Sequence, residues 1–161
     1  MTGTGASRAR FRELFGAWPT GVAVITGLGP RGPAGMTANA VCSLSLDPLL
    51  VLACFAREAR TLVTVRETGR FGINVLARGQ AHLATAFASK AAHHESFAAV
   101  AWHEEHGVPV LAGVVAWVAC DLDRMIPGGD HVIAIGMVTG LDHDRAARPL
   151  LWHRGGYGDL V

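Results

Sequence analysis

The sequence predicts a mainly β protein, an antiparallel barrel with peripheral helices. About seven short apolar or alternating runs, bounded by Gly, Pro, Asn or Asp, read as strands. About three segments read as helices, and they do not alternate with the strands as a parallel sheet requires. Half of the 161 residues are hydrophobic and 17% are charged, which suits a buried core and argues against disorder. Closure into a barrel removes the edges that such apolar strands would otherwise leave open. We expect one domain over residues 1–161 with no repeat or linker, and polar, disordered residues at 1–7.

In chain order, Ser7 can cap a helix reaching Gly16, with Phe11, Leu14 and Phe15 on one face. Trp18 to Gly21 reads as a turn and Val22 to Thr26 as a β-branched strand. Gly27 to Gly35 reads as a Gly/Pro-rich loop between two strands of a hairpin. Leu49 to Phe55 is wholly apolar, hence a central strand. Thr61 can cap a short helix that Gly69 stops, and Phe71 to Leu76 is another strand. Gln80 to Lys90 reads as a helix with Leu83 and Phe87 inward. His93 to His106 reads as irregular and polar. Val108 to Leu111 leads into a long run from Val114 to Met125. A turn follows at Ile126 to Asp130, then a return strand from His131 to Leu141, then a last strand at Leu150 to Trp152.

The stretch Gly35 to Pro48 organises the rest. Read as one strand, it puts Thr37, Asn39, Ser43 and Ser45 on one face and Met36, Ala38, Ala40, Cys42, Leu44 and Leu46 on the other. One apolar face and one small, polar face suit a sheet that packs on a core and offers its other side to a flat polar ligand. Pro48 ends the run because it lacks a ladder N–H.

Several classes are excluded. A net charge of +1 gives no electrostatic case for nucleic acid or an anionic membrane surface. There is no basic-apolar leader and no membrane-length apolar run, so we expect a soluble cytoplasmic protein without a membrane partner. The low net charge and apolar composition point to a surface buried against another subunit. Cys42, Cys54 and Cys120 are far apart and read as buried, inert thiols rather than a disulfide framework or zinc site. Gly27, Gly29 and Gly32 match a dinucleotide fingerprint in spacing. No helix follows them, and without a helix N-terminus the pyrophosphate has no seat. There is no P-loop and no GxSxG. His93, His94, His103 and His106 lie near Glu95, Glu104 and Glu105, but Gly107 and Pro109 break any supporting helix; no metal is expected.

Candidate chemistry sits elsewhere. His131 follows Gly128-Gly129-Asp130 where two long strands turn, at a barrel mouth, either as a hairpin residue or as an imidazole over a ligand. Arg57, Arg60 and Thr61 form a candidate anion site, Thr61 being at a helix N-terminus; solvated loop charges are the alternative for the arginines. Lys90, the only lysine, ends a helix, where the dipole favours a cation; a phosphate contact is the alternative.

Taken together the stretches Trp18-Pro-Thr-Gly-Val22, Gly35-Met-Thr-Ala-Asn-Ala40, Ser43-Leu-Ser-Leu-Asp-Pro48, Arg60-Thr-Leu62, Gly69-Arg-Phe71, Asn74-Val-Leu76, Phe87-Ala-Ser-Lys90, Gly128-Gly-Asp-His131, Ile135-Gly136, Pro149 to Arg154 and Gly156-Tyr157 resemble the short-chain flavin reductase family. These are the reductase components of two-component flavin-dependent monooxygenases. The resemblance runs from about Phe11 to Tyr157. It implies a split β-barrel homodimer that binds FAD or FMN together with NADH. Thr37, Ala38, Asn39 and Ala40 would line the flavin ring; Ser43, Ser45 and Leu46 would follow its edge and ribityl chain. Arg57, Arg60, Thr61 and Lys90 would lie near the phosphate, and Cys54 and Phe97 would join the cofactor-binding set. His131 would be the catalytic contact to the nicotinamide, with Tyr157 nearby. Two departures are Ala40, where many relatives carry Ser, and Ser96, where they often carry Arg.

The resemblance thus implies a reductase that transfers hydride from NADH to flavin and releases reduced flavin to a partner monooxygenase. Such chemistry needs stacking and alignment rather than a nucleophile, which agrees with the missing acid–base machinery. The alternatives are an oxidase that keeps a tightly bound FMN, and a non-catalytic flavin- or haem-binding protein.

Overall fold

The computed structural model describes residues 7–89, 93–98 and 100–158. Helix α1 (Arg8–Gly16) starts at Ser7, whose Oγ accepts the Arg10 N–H at 3.3 Å. Ser7, expected among disordered residues 1–7, is therefore a structured cap; residues 1–6 lie outside the described residues. Phe11, Leu14 and Phe15 do share α1, yet no residue of this helix is buried. Its C-terminus is tied to the body by the Arg154 amide, which donates to the Gly16 carbonyl at 2.8 Å.

The main sheet has seven antiparallel strands. They are β2 (Ala23–Gly29), β3 (Gly32–Ala38), β4 (Val41–Leu46), β5 (Leu49–Ala56), β6 (Arg70–Val75), β9 (Ala116–Gly128) and β10 (His131–His143), in the spatial order β3-β2-β6-β9-β10-β5-β4. A short ribbon of β1 (Thr20–Gly21), β11 (Leu151–His153) and β12 (Gly156–Gly158) flanks it, as does the hairpin β7 (Trp102–Glu105) with β8 (Val108–Leu111). Strands β3 and β4 are the two edges of the sheet, yet only Asn39 and Ala40 separate them in the chain. So short a link forces the edges together and curls the sheet into a barrel. The Cys54 amide fastens the link by donating to the Ala40 carbonyl at 3.0 Å.

The barrel interior holds Ile25, Phe55, Phe71, Ile73 and Val132, closed off by Leu62 and Val65 of helix α2 (Arg60–Thr68). A second apolar cluster covers the other face of β2. Val22 and Val24 meet Leu83, Ala84 and Phe87 of α3 (Ala81–Ala88), and Phe97 of α4 (His93–Ala98) joins them. Asn74 pins the β7–β8 hairpin to this frame. Its Nδ2 donates to the Val24 and Pro109 carbonyls and the Thr26 hydroxyl, and its Oδ1 accepts the Leu111 N–H at 2.8 Å.

Three local expectations change. The nine-residue loop at Gly27 to Gly35 is a tight hairpin: β2 and β3 pair as far as Gly29 and Gly32, leaving Pro30-Arg31 as the turn. Gly27 and Gly29 are glycine because α2 lies across them; a Cβ at either would sit 3.1 Å from the Thr64 methyl. Pro33 is tolerated because β3 is an edge strand. The His93 to His106 region is not irregular, since it forms α4 and β7. Helix α2 is capped by Ala59, not Thr61, and Thr61 lies fully buried in its first turn. Gly69 does close that helix, in the left-handed conformation at φ 67°.

Candidate functional site

The small, polar stretch does not form one strand. It breaks at Asn39-Ala40, and a bulge between Ser43 and Ser45 shifts the register again. Period-2 parity therefore does not carry from Thr37 to Ser43. What the structure builds instead is a groove along β3. One cavity of about 260 Å³ is lined by Val22, Thr37, Ala38, Asn39, Trp152 and Tyr157. Another, of about 580 Å³, is lined by Gly35, Thr37, Ala56, Glu58, Arg60, Thr61 and Ser89. Thr37 lines both, so the two cavities adjoin along β3 and are treated together as a trough.

The walls follow from local chemistry. The Thr37 hydroxyl donates to the Ala84 carbonyl at 2.7 Å, which ties the floor to α3 and leaves the oxygen lone pairs as acceptors. Gly35 has no Cβ because the Phe87 ring occupies that space, 2.7 Å from where the Cβ would stand. Ala38 packs its methyl into the core, so it offers its backbone to the groove. Trp152 and Tyr157 meet edge-on at 4.9 Å and close the far end.

At the near end, the Thr61 hydroxyl is buried and has no hydrogen-bond partner. An orphaned buried hydroxyl costs about 1–3 kcal/mol unless something satisfies it. It stands in the first turn of α2, whose cap, Ala59, supplies no side-chain acceptor. With Arg60 beside it, this corner has the donors and dipole that an anionic group requires.

His131 stands one strand away from the same trough. It pairs with Ala56, a lining residue, and so shares its face of the sheet. Its Nδ1 lies 2.8 Å from the Asp130 carboxylate. The hydrogen bond and charge of His131 hold the Asp130 carboxyl below its ordinary value. Cys54 pairs with Ile133 two residues further along.

The other expected residues fall outside the trough. Arg57 is exposed; its amide donates to the Asp130 carbonyl at 3.1 Å, while its neighbours Ala56 and Glu58 line the cavity. Ser43, Ser45 and Leu46 run along β4 and line neither cavity; the Ser45 hydroxyl accepts the Asp47 N–H at 3.2 Å. Ala40 is an exposed link residue. The Phe97 ring is buried behind Phe87, edge-on at 5.0 Å. Ser96 ties α4 to α3 by donating to the Ala86 carbonyl at 3.1 Å. Lys90 lies outside the described residues.

Sequence reasoning missed Glu58, Ser89 and Trp152. Glu58 was concealed in a polar loop, and Trp152 read only as the end of a strand. The thiols also differ from expectation. Cys42 is exposed because β4 is an edge strand, Cys54 on β5 is half-buried, and Cys120 alone of the three is buried. Burial, then Cys42, pushes the Cys54 thiol up, and burial beside Asp121 pushes Cys120 up to about 12. Among the described residues, no group of three or more His, Cys, Asp or Glu is placed to hold a metal, and no helix is long and apolar enough to cross a membrane.

A curled antiparallel barrel with a trough of small residues, ending in an anion seat, defines a binding protein for a flat molecule with an anionic tail. The sequence model of the flavin reductase like domain matches residues 15–160, so the chain belongs to that family. A probable flavin reductase of Rhizobium meliloti is 41% identical over 148 residues, which cover 91% of this chain and 47% of that protein. The chain thus spans about half the length of that relative. The reductase subunit of a flavin-dependent monooxygenase from Rhodococcus jostii is 37% identical over 164 residues, 98% of this chain and 83% of the relative. The solved NADH:FAD oxidoreductase of Streptomyces globisporus superposes with a TM-score of 0.90 at 36% identity, covering 98% of this chain and 95% of that one.

The residues present fit a flavin. The narrow floor of Thr37, Ala38 and Asn39 suits a planar ring, and the orphaned Thr61 hydroxyl with Arg60 suits its phosphate.

Proposed function

We propose that this chain is an NADH-dependent flavin reductase that takes FAD or FMN as the flavin and hands reduced flavin to a partner monooxygenase. The observation that carries the reading is the pair of adjoining cavities that meet at Thr37, one reaching Tyr157 and the other Thr61, with small residues along β3 and an unsatisfied hydroxyl at the Thr61 end. Bound there, flavin and NADH would supply the redox chemistry: a hydride passes from the nicotinamide to the flavin, and one solvent proton completes the dihydroflavin.

The protein's own work is binding and alignment. The β3 backbone and the Thr37 oxygen would hold the ring edge. Thr61, Arg60 and the start of α2 would hold the phosphate, with Arg57 as a further cation on the adjoining loop; Lys90, which the family resemblance also implies for this role, lies outside the described residues. His131, fixed by Asp130, would position the nicotinamide above the ring, and Tyr157 would close the far side.

We further propose a cytoplasmic homodimer. Adjacent strands β4, β5, β10 and β9 carry exposed Leu44, Leu46, Leu49, Met137, Leu141 and Ile126. A patch of this kind on neighbouring strands favours burial against a second copy. Three free cysteines suit a reducing compartment.

The test is to follow NADH oxidation at fixed enzyme with FAD, FMN or riboflavin, and then to add apo-monooxygenase. Flavin-dependent NADH loss with release of reduced flavin supports the proposal. A protein that holds flavin through gel filtration without turning over added flavin overturns it.

A further inference from the structure

We infer that Glu58 selects among flavins, favouring FAD over FMN by repelling a terminal phosphate monoester. The inference rests on the reading above, in which the Thr61 end of the trough seats the flavin phosphate.

Glu58 and Arg60 are the charged residues among those lining the cavity, and they flank Ala59 at the start of α2. Nothing in the described structure pairs the Glu58 carboxylate: it takes part in no ion pair and no hydrogen bond, and it is exposed to the cavity. A seat built for the greatest negative charge would not place an unpaired carboxylate in its wall. Glu58 and the seat line the same cavity, so a like charge placed there is repelled, by an amount that solvent at the exposed carboxylate moderates.

The two flavins differ in charge at this point. FMN ends in a phosphate monoester, which carries about −1.5 to −2 near pH 7, since its second pKa is about 6. In FAD the corresponding phosphate carries one ester bond and an anhydride bridge to the next phosphate; it carries about one negative charge, with the second charge on that next phosphate. Thr61, Arg60 and the helix dipole supply attraction for either flavin. Glu58 then subtracts more from the one that concentrates charge beside it. Riboflavin, which lacks a phosphate, feels neither effect.

The test measures dissociation constants for FAD, FMN and riboflavin by flavin fluorescence quenching, at one ionic strength, in the wild type and in Glu58→Gln, Glu58→Asp and Arg60→Gln. Glu58→Gln is expected to tighten FMN about five- to tenfold, FAD about twofold, and riboflavin not at all. Glu58→Asp should keep most of the wild-type preference. A uniform change across all three flavins, or no change, overturns the role of Glu58. Arg60→Gln separates the two levels of inference. Weaker FMN and FAD with unchanged riboflavin places the phosphate at this seat, so that a flat Glu58→Gln result counts against Glu58 alone. If Arg60→Gln leaves all three flavins unchanged, the phosphate lies elsewhere and both readings fall.

Discussion

The Thr37 hydroxyl and the Ala84 carbonyl, 2.7 Å apart, join the floor of the trough to the helix that forms its wall. This bond, together with the Phe87 ring packed on Gly35, brings together two parts of the site from distant stretches of sequence. Thr37→Val keeps the side-chain shape but cannot donate. It is expected to cost about 1 kcal/mol of stability and to weaken flavin binding about fivefold, with Thr37→Ser restoring both. Denaturant melts and fluorescence titration of the three proteins check this.

A second prediction concerns Gly35. A methyl there would stand 2.7 Å from the Phe87 ring and 3.3 Å from that of Phe97. Gly35→Ala should destabilise the fold by about 1–3 kcal/mol by displacing α3. If the thermal midpoint is unmoved, the close approach of β3 to α3 is not real.

Asn74 carries the largest expected single-site loss. All its side-chain polar groups are used inside a dry region, where it links β2, β6 and the β7–β8 hairpin. Asn74→Ala strands the Leu111 amide and the Pro109 carbonyl and should cost about 2–4 kcal/mol. Hydrogen exchange of the Leu111 amide should rise in step with the loss of global stability.

His131 and Asp130 give a pH signature. In the folded state the Asp130 carboxyl titrates below its ordinary value of 3.8, held there by the hydrogen bond and charge of His131. Its contribution to stability is therefore present above that value and is lost as pH falls through the lowered one. His131→Ala should return the Asp130 carboxyl towards its ordinary range, visible by carboxyl-carbon NMR. The same variant should raise the NADH KM or slow hydride transfer while changing flavin affinity little; an unaltered steady-state rate removes His131 from the site.

At alkaline pH the sign reverses. Cys120 is raised from 9.0 to about 12 by burial, so the folded state keeps a proton that the unfolded state gives up. Stability from this group is whole below pH 9.0 and declines as pH rises towards about 12. Cys120→Ala should flatten that decline in alkaline unfolding curves. Thiol labelling should proceed in the order Cys42, Cys54, Cys120, following exposure.

Where residue pattern and packing agree, the fold is legible in the sequence. The apolar run at Leu49 to Phe55 is a strand with Phe55 in the barrel interior, and Leu83 and Phe87 do face inward from a helix. Glycine misled where it served packing rather than reversal. Gly27 and Gly29 lie in a strand crossed by α2, a contact between segments that no local rule could reveal. The site was partly legible for a similar reason. Thr37, Asn39, Thr61 and Arg60 carry visible chemical types and converge, and Tyr157 joins them. Ser43 and Leu46 diverge because the chain leaves one edge of the sheet for the other at Asn39-Ala40. Parity along a strand cannot foresee where that strand stops.

The consecutive strands β3 and β4 are not hydrogen-bonded to each other; each pairs with a different neighbour. Along Met36 to Ala38, one margin therefore keeps main-chain amides and carbonyls that no ladder claims. A heterocycle rimmed with alternating donors and acceptors can borrow that margin as if it were a missing neighbour. Side-chain replacement cannot delete such contacts, so alanine scanning of this trough will understate how much of the grip belongs to the peptide itself.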